Sequence, residues 1–243
     1  MLADDLRGMF YIGLKDIKAY YFKAPNISWG ILFPFAFILA FAIRNPGDLR
    51  ALVPGLLALT ILFGTSSMEA IVIVFERRIG ALERLFLAPL RLPALLAGKL
   101  LGGMAFGLMV TLVVLVISLA VFGAAGTNWL MLVLALLLSA TAFSAMGAFV
   151  SVAVKEIFEA QTLANFIRFP MMFLGGVFVP LASMPVWLQV LARLFPLTYS
   201  VEALRAALSG GTWSTAALDL GALTAFSIIL FLLAVRTLGR RIE

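Results

Sequence analysis

The sequence predicts an all-α integral membrane protein, and three observations support that fold class. Hydrophobic residues make up 63% of the 243-residue chain, against roughly 45–50% in an average soluble domain. Charged residues make up 12%, about half of the usual ~25%. The mean hydropathy is +1.12. A soluble protein of this length needs more polar surface to cover itself, so we exclude that class.

Six apolar runs are candidates for helices that cross the hydrocarbon core of a bilayer, which takes about 20 residues. They are residues 27–43, 53–75, 100–122, 129–154, 163–180 and 214–235. The first and fifth runs are short, so we expect flanking residues or tilt to make up the difference. A further apolar stretch, 186–208, contains Arg193, Pro196, Glu202 and Arg205. These residues make a full crossing costly and favour broken helices at the outer interface.

The distribution of basic residues orients the chain. Six spans put both termini on one side, and a cytoplasmic N-terminus places fourteen of the 18 Lys and Arg residues inside. Only Arg44, Arg50, Arg193 and Arg205 then lie outside. Because positively charged loops stay in the cytoplasm, we predict a multi-pass protein of the cytoplasmic membrane with both termini cytoplasmic. The basic residues form no aromatic-interleaved patch, so we expect no nucleic-acid partner.

Residues 1–24 are predicted to form an amphipathic helix on the inner leaflet, ahead of a transmembrane domain over 25–243. Apolar residues recur there at steps of three and four: Leu2, Leu6, Met9, Phe10, Gly13, Ile17 and Tyr20. Asp5, Lys15 and Lys18 fall largely off this stripe. That pattern is typical of a helix that lies in a membrane interface and contacts lipid.

Two clusters of small residues predict close helix packing. The first comprises Gly98, Gly102, Gly103 and Gly107, and the second Ser139, Ala140, Ser144, Gly147 and Ala148. We favour packing within one subunit over a subunit interface.

The loop after the second span, residues 76–90, predicts a short amphipathic helix. Its apolar positions are Leu82, Leu85 and Phe86, and Pro89 stops it. The loop is too polar to span the membrane. Composition alone leaves two interpretations open, a docking helix and a helix that anchors charge at the lipid headgroups.

The residues of this loop also carry a resemblance to a known family. The run Glu76-Arg77-Arg78-x-Gly80-Ala81-Leu82-Glu83-Arg84-Leu85, with Ala88-Pro89-Leu90, resembles the coupling-helix motif of type-2 permeases of ATP-binding-cassette exporters. A second region resembles the family's segment after the fifth span, through residues 175–180, 184–189, 196–199 and 202–205. The family often has Asn before the Pro-Leu-Thr-Tyr sequence, where this chain has Phe195. The resemblance covers essentially the whole chain.

The resemblance implies a permease domain that pairs with a second permease, which we expect to be a homodimer, and with separate ATPase subunits. The chain has no G-x-x-x-x-G-K-[ST] loop, so we expect ATP and Mg on those partners, and neither a catalytic residue nor a bound cofactor here. The expected ATPase-coupling residues are Glu76, Arg77, Arg78, Gly80, Leu82, Glu83, Arg84, Leu85, Phe86 and Pro89. In this interpretation Leu82, Leu85 and Phe86 fill a groove on the ATPase, and the charged residues orient the helix.

The resemblance also implies an outer gate of re-entrant helices in residues 181–211. The expected gate residues are Pro180, Pro185, Trp187, Pro196 and Tyr199. The alternative interpretation of the same segment is an aromatic belt that anchors the chain at the membrane surface.

Glu69 is an acidic residue inside the second predicted span. An intramembrane carboxylate is a candidate functional group, but we favour a structural residue that pairs with Arg77, Arg78 or a neighbouring helix. The sequence has no Cys and no His. This excludes thiolate chemistry, Cys/His metal sites and His base catalysis, and we predict no metal site.

Polar residues are sparse in the predicted spans, which suits hydrophobic or amphiphilic cargo better than ions or free sugars. We therefore predict the permease of an ATP-driven exporter of drug-like molecules or lipid-linked glycans. The alternative is a secondary transporter or channel that needs no ATPase. The absence of charge pairs from the predicted spans argues against that alternative.

Overall fold

The computed structural model is all-helical over the residues that it describes. These are residues 2–21, 49–88 and 90–242, together with Leu32, Ala36 and Ala40, which are helical. The rest of the first predicted span lies outside the described residues, and so does Pro89.

Nine α-helices follow one another along this described part of the chain. They are α1 (Leu2–Asp16), α2 (Leu49–Arg78), α3 (Ala81–Phe86), α4 (Leu92–Phe122), α5 (Trp129–Ala153), α6 (Ile157–Leu174), α7 (Val186–Ala192), α8 (Pro196–Leu208) and α9 (Trp213–Ile242). A π-helical turn, Ile17–Tyr21, extends α1. A 3-10 turn, Leu181–Ser183, precedes α7.

Four of the described helices, α2, α4, α5 and α9, are long and apolar enough to cross a membrane. The fifth predicted span, 163–180, is displaced in the structure, because α6 begins at Ile157 and ends at Leu174. The helix stops before Gly175 and Gly176, and Gly176 has a φ of 74°. This left-handed conformation terminates helices and favours glycine, which has no β-carbon.

Helices α2 and α5 form the centre of the bundle. Helix α2 packs against α4, α5, α6 and α8, and α5 packs against α2, α8 and α9. In the most apolar window of each helix, 78% of the residues of α2 and 67% of those of α5 are buried, against 39% in α4 and 17% in α9. Helices α4 and α9 therefore leave apolar side chains on the outside, which only a lipid environment solvates without penalty.

The contacts of α2 with α4 and α5 depend on residues without side chains. Gly107 of α4 lies against Gly64 and Thr65 of α2, and Gly147 of α5 lies against Ser66. A β-carbon on Gly147 would lie 2.7 Å from the carbonyl oxygen of Ser66. The interpretation that these small residues pack helices of one subunit is confirmed at these positions.

Helix α1 lies along the first turns of α4. Gly98 of α4 contacts Met9 and Ile12, and a β-carbon there would lie 2.9 Å from the Met9 backbone. Leu6 and Phe10 are 58% and 61% exposed. The predicted apolar stripe is therefore divided, because Met9 faces the bundle whereas Leu6 and Phe10 turn away from it.

Replacing Gly147 by alanine is expected to destabilise the protein by about 1–3 kcal/mol, because the new methyl group collides with backbone that cannot move alone. Gly221 on α9 is the matched control, since a β-carbon there has nothing within 4 Å. Thermal unfolding of the two purified variants in detergent measures the difference. Equal midpoints for Gly147→Ala and Gly221→Ala would contradict this packing.

Candidate functional site

The segment expected to couple to an ATPase, residues 76–90, does not form one helix. Glu76, Arg77 and Arg78 belong to the last turn of α2. Gly80 then adopts a left-handed conformation with a φ of 69°, and the six-residue helix α3 follows from Ala81. The short amphipathic helix of the sequence prediction is therefore α3 alone, joined to α2 by a tight turn.

The apolar side of α3 faces its own chain. Leu82 is 1% exposed and belongs to a buried cluster with Ile73 of α2 and Leu95 of α4. Leu85 and Phe86 are partly buried against the same cluster. The expectation that Leu82 fills a groove on a partner is wrong, because the ends of α2 and α4 already enclose this side chain.

The outward side of this turn and helix carries charged and apolar groups together. Its exposed members are Arg78, Ile79, Glu83, Arg84 and Leu87. Ile79 is 52% exposed and Leu87 is 86% exposed. We name these five residues the coupling surface. An apolar pair beside charged residues fits both interpretations that the sequence leaves open, a docking surface and a helix at the lipid headgroups.

Glu76 was expected to orient the helix on a partner, but the structure buries it. Its carboxylate accepts hydrogen bonds from Lys15 of α1 and Lys99 of α4. Lys99 Nζ also lies 3.0 Å from Asp16 Oδ2, and Lys15 Nζ lies 3.0 Å from Asp16 Oδ1. We name these four residues the charge cluster. Two ammonium groups and two carboxylates cancel, so the cluster is neutral as a whole.

The burial of the charge cluster is nearly complete. The side chains of Asp16, Glu76 and Lys99 are 0% exposed, and Lys15, at 41%, is the exposed member. Burial raises the pKa of the Asp16 carboxyl above its ordinary value, although Lys99 and Lys15 oppose that shift. Partial burial lowers the pKa of Lys15, but its hydrogen bond to Glu76 and the charge of Asp16 outweigh it and raise the pKa overall.

The two arginines that follow Glu76 connect α2 to the loop between α5 and α6. Arg77 donates hydrogen bonds to the carbonyl oxygens of Val154 and Lys155. Arg78 Nη1 lies 3.6 Å from Glu156 Oε2. The last turn of α2 is thus bonded to α1, to α4, to the loop between α5 and α6 and, through Glu156, to the start of α6.

Glu69 lies two turns further into α2 and is fully buried. Its Oε1 accepts hydrogen bonds from the Tyr21 hydroxyl at 2.8 Å and from the Gly103 amide at 3.1 Å. Its Oε2 has no hydrogen-bond partner among the described residues. The structure therefore places Glu69 against two neighbouring elements and not against Arg77 or Arg78.

Sequence reasoning missed two buried cations. Lys99 and Arg168 were counted among the fourteen inner basic residues, yet both are 0% exposed and lie within helices α4 and α6. The sequence did contain a local signal for their burial, because each of these two cations interrupts an otherwise apolar stretch. Lys99 forms a buried ion pair with Glu76. Both residues lie just outside the predicted spans 53–75 and 100–122, but within the longer helices α4 and α2.

The predicted gate segment consists of two helices, each beginning next to a proline. Pro185 precedes α7, and Pro196, which is buried, begins α8. The hydroxyl of Tyr199 donates a hydrogen bond to the carbonyl oxygen of Arg193 at 2.9 Å, which ties α8 to the turn that follows α7. Trp187 is 65% exposed, and Pro180 is also exposed.

Helix α8 is inserted into the bundle and contacts α2, α5 and α9. Ser200 and Ser139 share a hydrogen bond of 2.7 Å between α8 and α5. Beside the end of α8 lies a cavity of about 540 Å³, lined by Arg50, Ala51, Pro54, Ala125, Arg205, Leu208 and Ser209.

Residues 10–209 of the chain match the family model described as ABC-2 type transporter. The chain belongs to the ABC-2 type transporter family. The match includes the coupling surface, the charge cluster and both helices of the gate segment. Family membership implies an ATPase subunit as a partner of this ABC-2 chain.

Individual relatives agree with this family. The chain is 28% identical to the inner membrane transport permease YadH of Escherichia coli K12 over 188 residues, which cover 76% of this chain and 72% of that protein. It is 31% identical to the putative transport permease ycf38 of Cyanophora paradoxa over 195 residues, 76% and 66% of the two chains. It is 28% identical to nodulation protein J of Rhizobium leguminosarum bv. viciae over 119 residues, 48% and 46%. This ABC-2 chain is a multi-pass membrane transport permease.

Replacing Lys99 by methionine is expected to destabilise the protein by about 3–5 kcal/mol, because Asp16 and Glu76 are left buried with only Lys15 to neutralise them. The sequence has no cysteine, so Ile12→Cys, on the buried side of α1, is a clean reporter. In membrane vesicles this cysteine should react slowly with a maleimide in the parent and at least about tenfold faster with Lys99→Met.

The matched control combines Lys99→Met with Glu76→Gln. It removes one carboxylate together with one ammonium group, so the charge of Lys15 still neutralises that of Asp16. The double variant should recover most of the lost protection. Equal labelling rates in the parent and in Lys99→Met would show that the charge cluster does not hold α1 to the bundle.

Proposed function

We propose that this permease is the membrane subunit of an ATP-driven exporter that moves hydrophobic or amphiphilic compounds out across the cytoplasmic membrane. In this proposal two copies form a homodimer, and separate ATPase subunits bind ATP and Mg. The observation on which the proposal rests is the coupling surface. It exposes Arg84 on the short helix α3, with Ile79 just before and Leu87 just after that helix, while the other side of α3 is buried in the bundle.

The contacts of α3 are suited to transmitting a displacement. Leu82 wedges this helix between α2 and α4, and the charge cluster bonds the adjoining turn of α2 to α1 and α4. Closely packed helices move as units rather than deforming continuously. A conformational change in an ATPase bound to the coupling surface would therefore move α2, which is the central helix of the bundle.

The proposed topology has six spans with both termini in the cytoplasm, and the packing at one end of the bundle supports it. Leu82 of α3, Ile12 of α1 and Leu238 near the end of α9 belong to one buried cluster. The N-terminal helix, the coupling surface and the last turns of the chain thus share one end. The cytoplasm is the compartment that an ATPase partner requires.

The buried carboxylate of Glu69 favours a second candidate, a secondary transporter driven by protons. Intramembrane acidic residues are common proton carriers. Transport in sealed inside-out vesicles that contain the permease and its ATPase separates the two functions. If the protein is an ATP-driven exporter, the vesicles take up cargo when they are given ATP together with an uncoupler. They take up no cargo when they are given only a proton gradient. The reverse pattern would establish the secondary transporter.

Reversing the charge of Arg84, on the coupling surface, is expected to lower ATP-dependent transport at least about tenfold while the helices stay folded. The helices stay folded because Arg84 is exposed, on the side of α3 opposite the buried Leu82. Transport and cargo-stimulated ATP hydrolysis are measured on the same vesicles. Arg84→Lys keeps the charge and should retain both activities. Full coupling in Arg84→Glu would remove the coupling surface from the ATPase contact.

A further inference from the structure

Arg168 of α6 is a buried cation whose charge is not neutralised by the described part of the chain. Its side chain is 0% exposed. Nε donates a hydrogen bond to Ser66 Oγ at 2.9 Å, and Nη1 donates one to Asn165 Oδ1 at 3.2 Å. The guanidinium carbon lies 5.7 Å from the centre of the Phe63 ring. Nη2 has no hydrogen-bond partner among the described residues.

The described groups that bond or face the Arg168 guanidinium are uncharged. Ser66, Asn165 and Phe63 supply a hydroxyl, an amide and an aromatic ring, and none of the described ion pairs includes Arg168. The charge cluster shows how the same protein treats Lys99, which it pairs with two carboxylates. A guanidinium buried without an anion is costly, so its retention inside a membrane protein points to a ligand that brings the anion.

A row of polar side chains leads from the edge of the bundle to this guanidinium. Gln161, Asn165 and Arg168 follow one another at helical steps on α6, and the Gln161 amide donates a hydrogen bond to Asn165 Oδ1 at 3.4 Å. Gln161 and Asn165 are half-buried, whereas Arg168 is fully buried. The row therefore offers hydrogen bonds at increasing depth to a polar group that enters from the side.

An exposed aromatic ridge runs along α6 beside this row. Phe158 is 85% exposed, Phe166 is 76% exposed and Phe173 is 63% exposed. Such a ridge gives an apolar chain a surface to lie on, and the adjacent row meets its polar end. Together the two features fit a molecule with one apolar part and one anionic part.

We infer that α6 carries a cargo-binding site for anionic amphiphiles, in which Arg168 binds the anionic headgroup. This inference rests on the proposed function and assigns the charge of its cargo. An anionic oxygen would accept a hydrogen bond from Nη2, which has no partner among the described residues. Guanidinium groups form short, charge-assisted hydrogen bonds of this kind with phosphate and carboxylate. Cationic amphiphiles would meet only repulsion at the same place.

The test compares amphiphiles that differ only in the headgroup. The complex of permease and ATPase is reconstituted in phosphatidylcholine vesicles and given dodecyl phosphate, dodecyl maltoside or dodecyltrimethylammonium at concentrations that keep the vesicles sealed. Half-maximal stimulation of ATP hydrolysis by dodecyl phosphate should need a concentration at least about tenfold lower than the other two. Equal concentrations for all three would overturn the inference.

Three variants assign that preference to the site. Arg168→Gln should erase it, Arg168→Lys should retain part of it, and Arg236→Gln, which removes an exposed arginine of α9, should leave it intact.

Asn165→Asp separates binding from folding, because it places a carboxylate beside Arg168. A merely structural Arg168 would tolerate or gain from that pair, so an unchanged preference for dodecyl phosphate in Asn165→Asp would overturn the inference. We expect instead an unchanged or higher unfolding temperature together with loss of the preference.

A membrane phospholipid could supply the same anionic chemistry, and a separate arm identifies that source. Wild-type complex in vesicles with added phosphatidylglycerol should show no stimulation without dodecyl phosphate. Stimulation by phosphatidylglycerol alone that disappears in Arg168→Gln would assign the site to lipid and overturn the cargo assignment. ATP-dependent accumulation of labelled dodecyl phosphate in the vesicle lumen, reduced at least about tenfold in Arg168→Gln, supports it.

The outcomes also separate this inference from the proposed function. ATP-driven accumulation of dodecyl maltoside or dodecyltrimethylammonium, with none of dodecyl phosphate, would overturn the inference and leave the exporter in place. ATP hydrolysis that no amphiphile stimulates, with no accumulation of any of them, would overturn the exporter itself.

Discussion

The ammonium group of Lys99 joins three helices inside the bundle. It lies between Asp16 of α1 and Glu76 of α2 while belonging to α4, and all three side chains are buried. Burying charges is favourable only when the partners are close and fully bonded. The arrangement therefore tolerates little independent movement of these helices. It makes the N-terminal helix part of the end of the bundle that carries the coupling surface.

The central position of α2 follows from the small residues that surround it. Gly103, Gly107 and Gly147 let α4 and α5 approach its backbone, where dispersion contacts replace the hydrophobic effect that lipid does not supply. As a result α2 contacts the groups on which both functional hypotheses depend. Its last turn leads into the coupling surface, and its middle turns hold Ser66, which accepts a hydrogen bond from Arg168.

The coupling segment illustrates how a correct motif was assigned a partly wrong role. The alternation of apolar and charged residues predicted a two-sided helix at this place, and α3 has two such sides. The sequence does not say which side faces a partner. Leu82 lies within reach of the exposed apolar ends of α2 and α4, and it is buried there because that contact forms within the chain. The residues that remain exposed around α3 include Ile79, Arg84 and Leu87.

Composition and periodicity by themselves predicted the membrane class and four of the helices, and contiguous motifs gave the resemblance to the family. Each of these signals is local in the sequence. The partners of charged side chains were decided only by the tertiary structure. Asp16 and Lys99 are 83 positions apart, and Ser66 and Arg168 are 102 apart. No periodicity reports contacts over such separations, since they arise when helices pack and water is excluded. For the same reason the sequence did not predict that Arg168, counted among the inner basic residues, is fully buried.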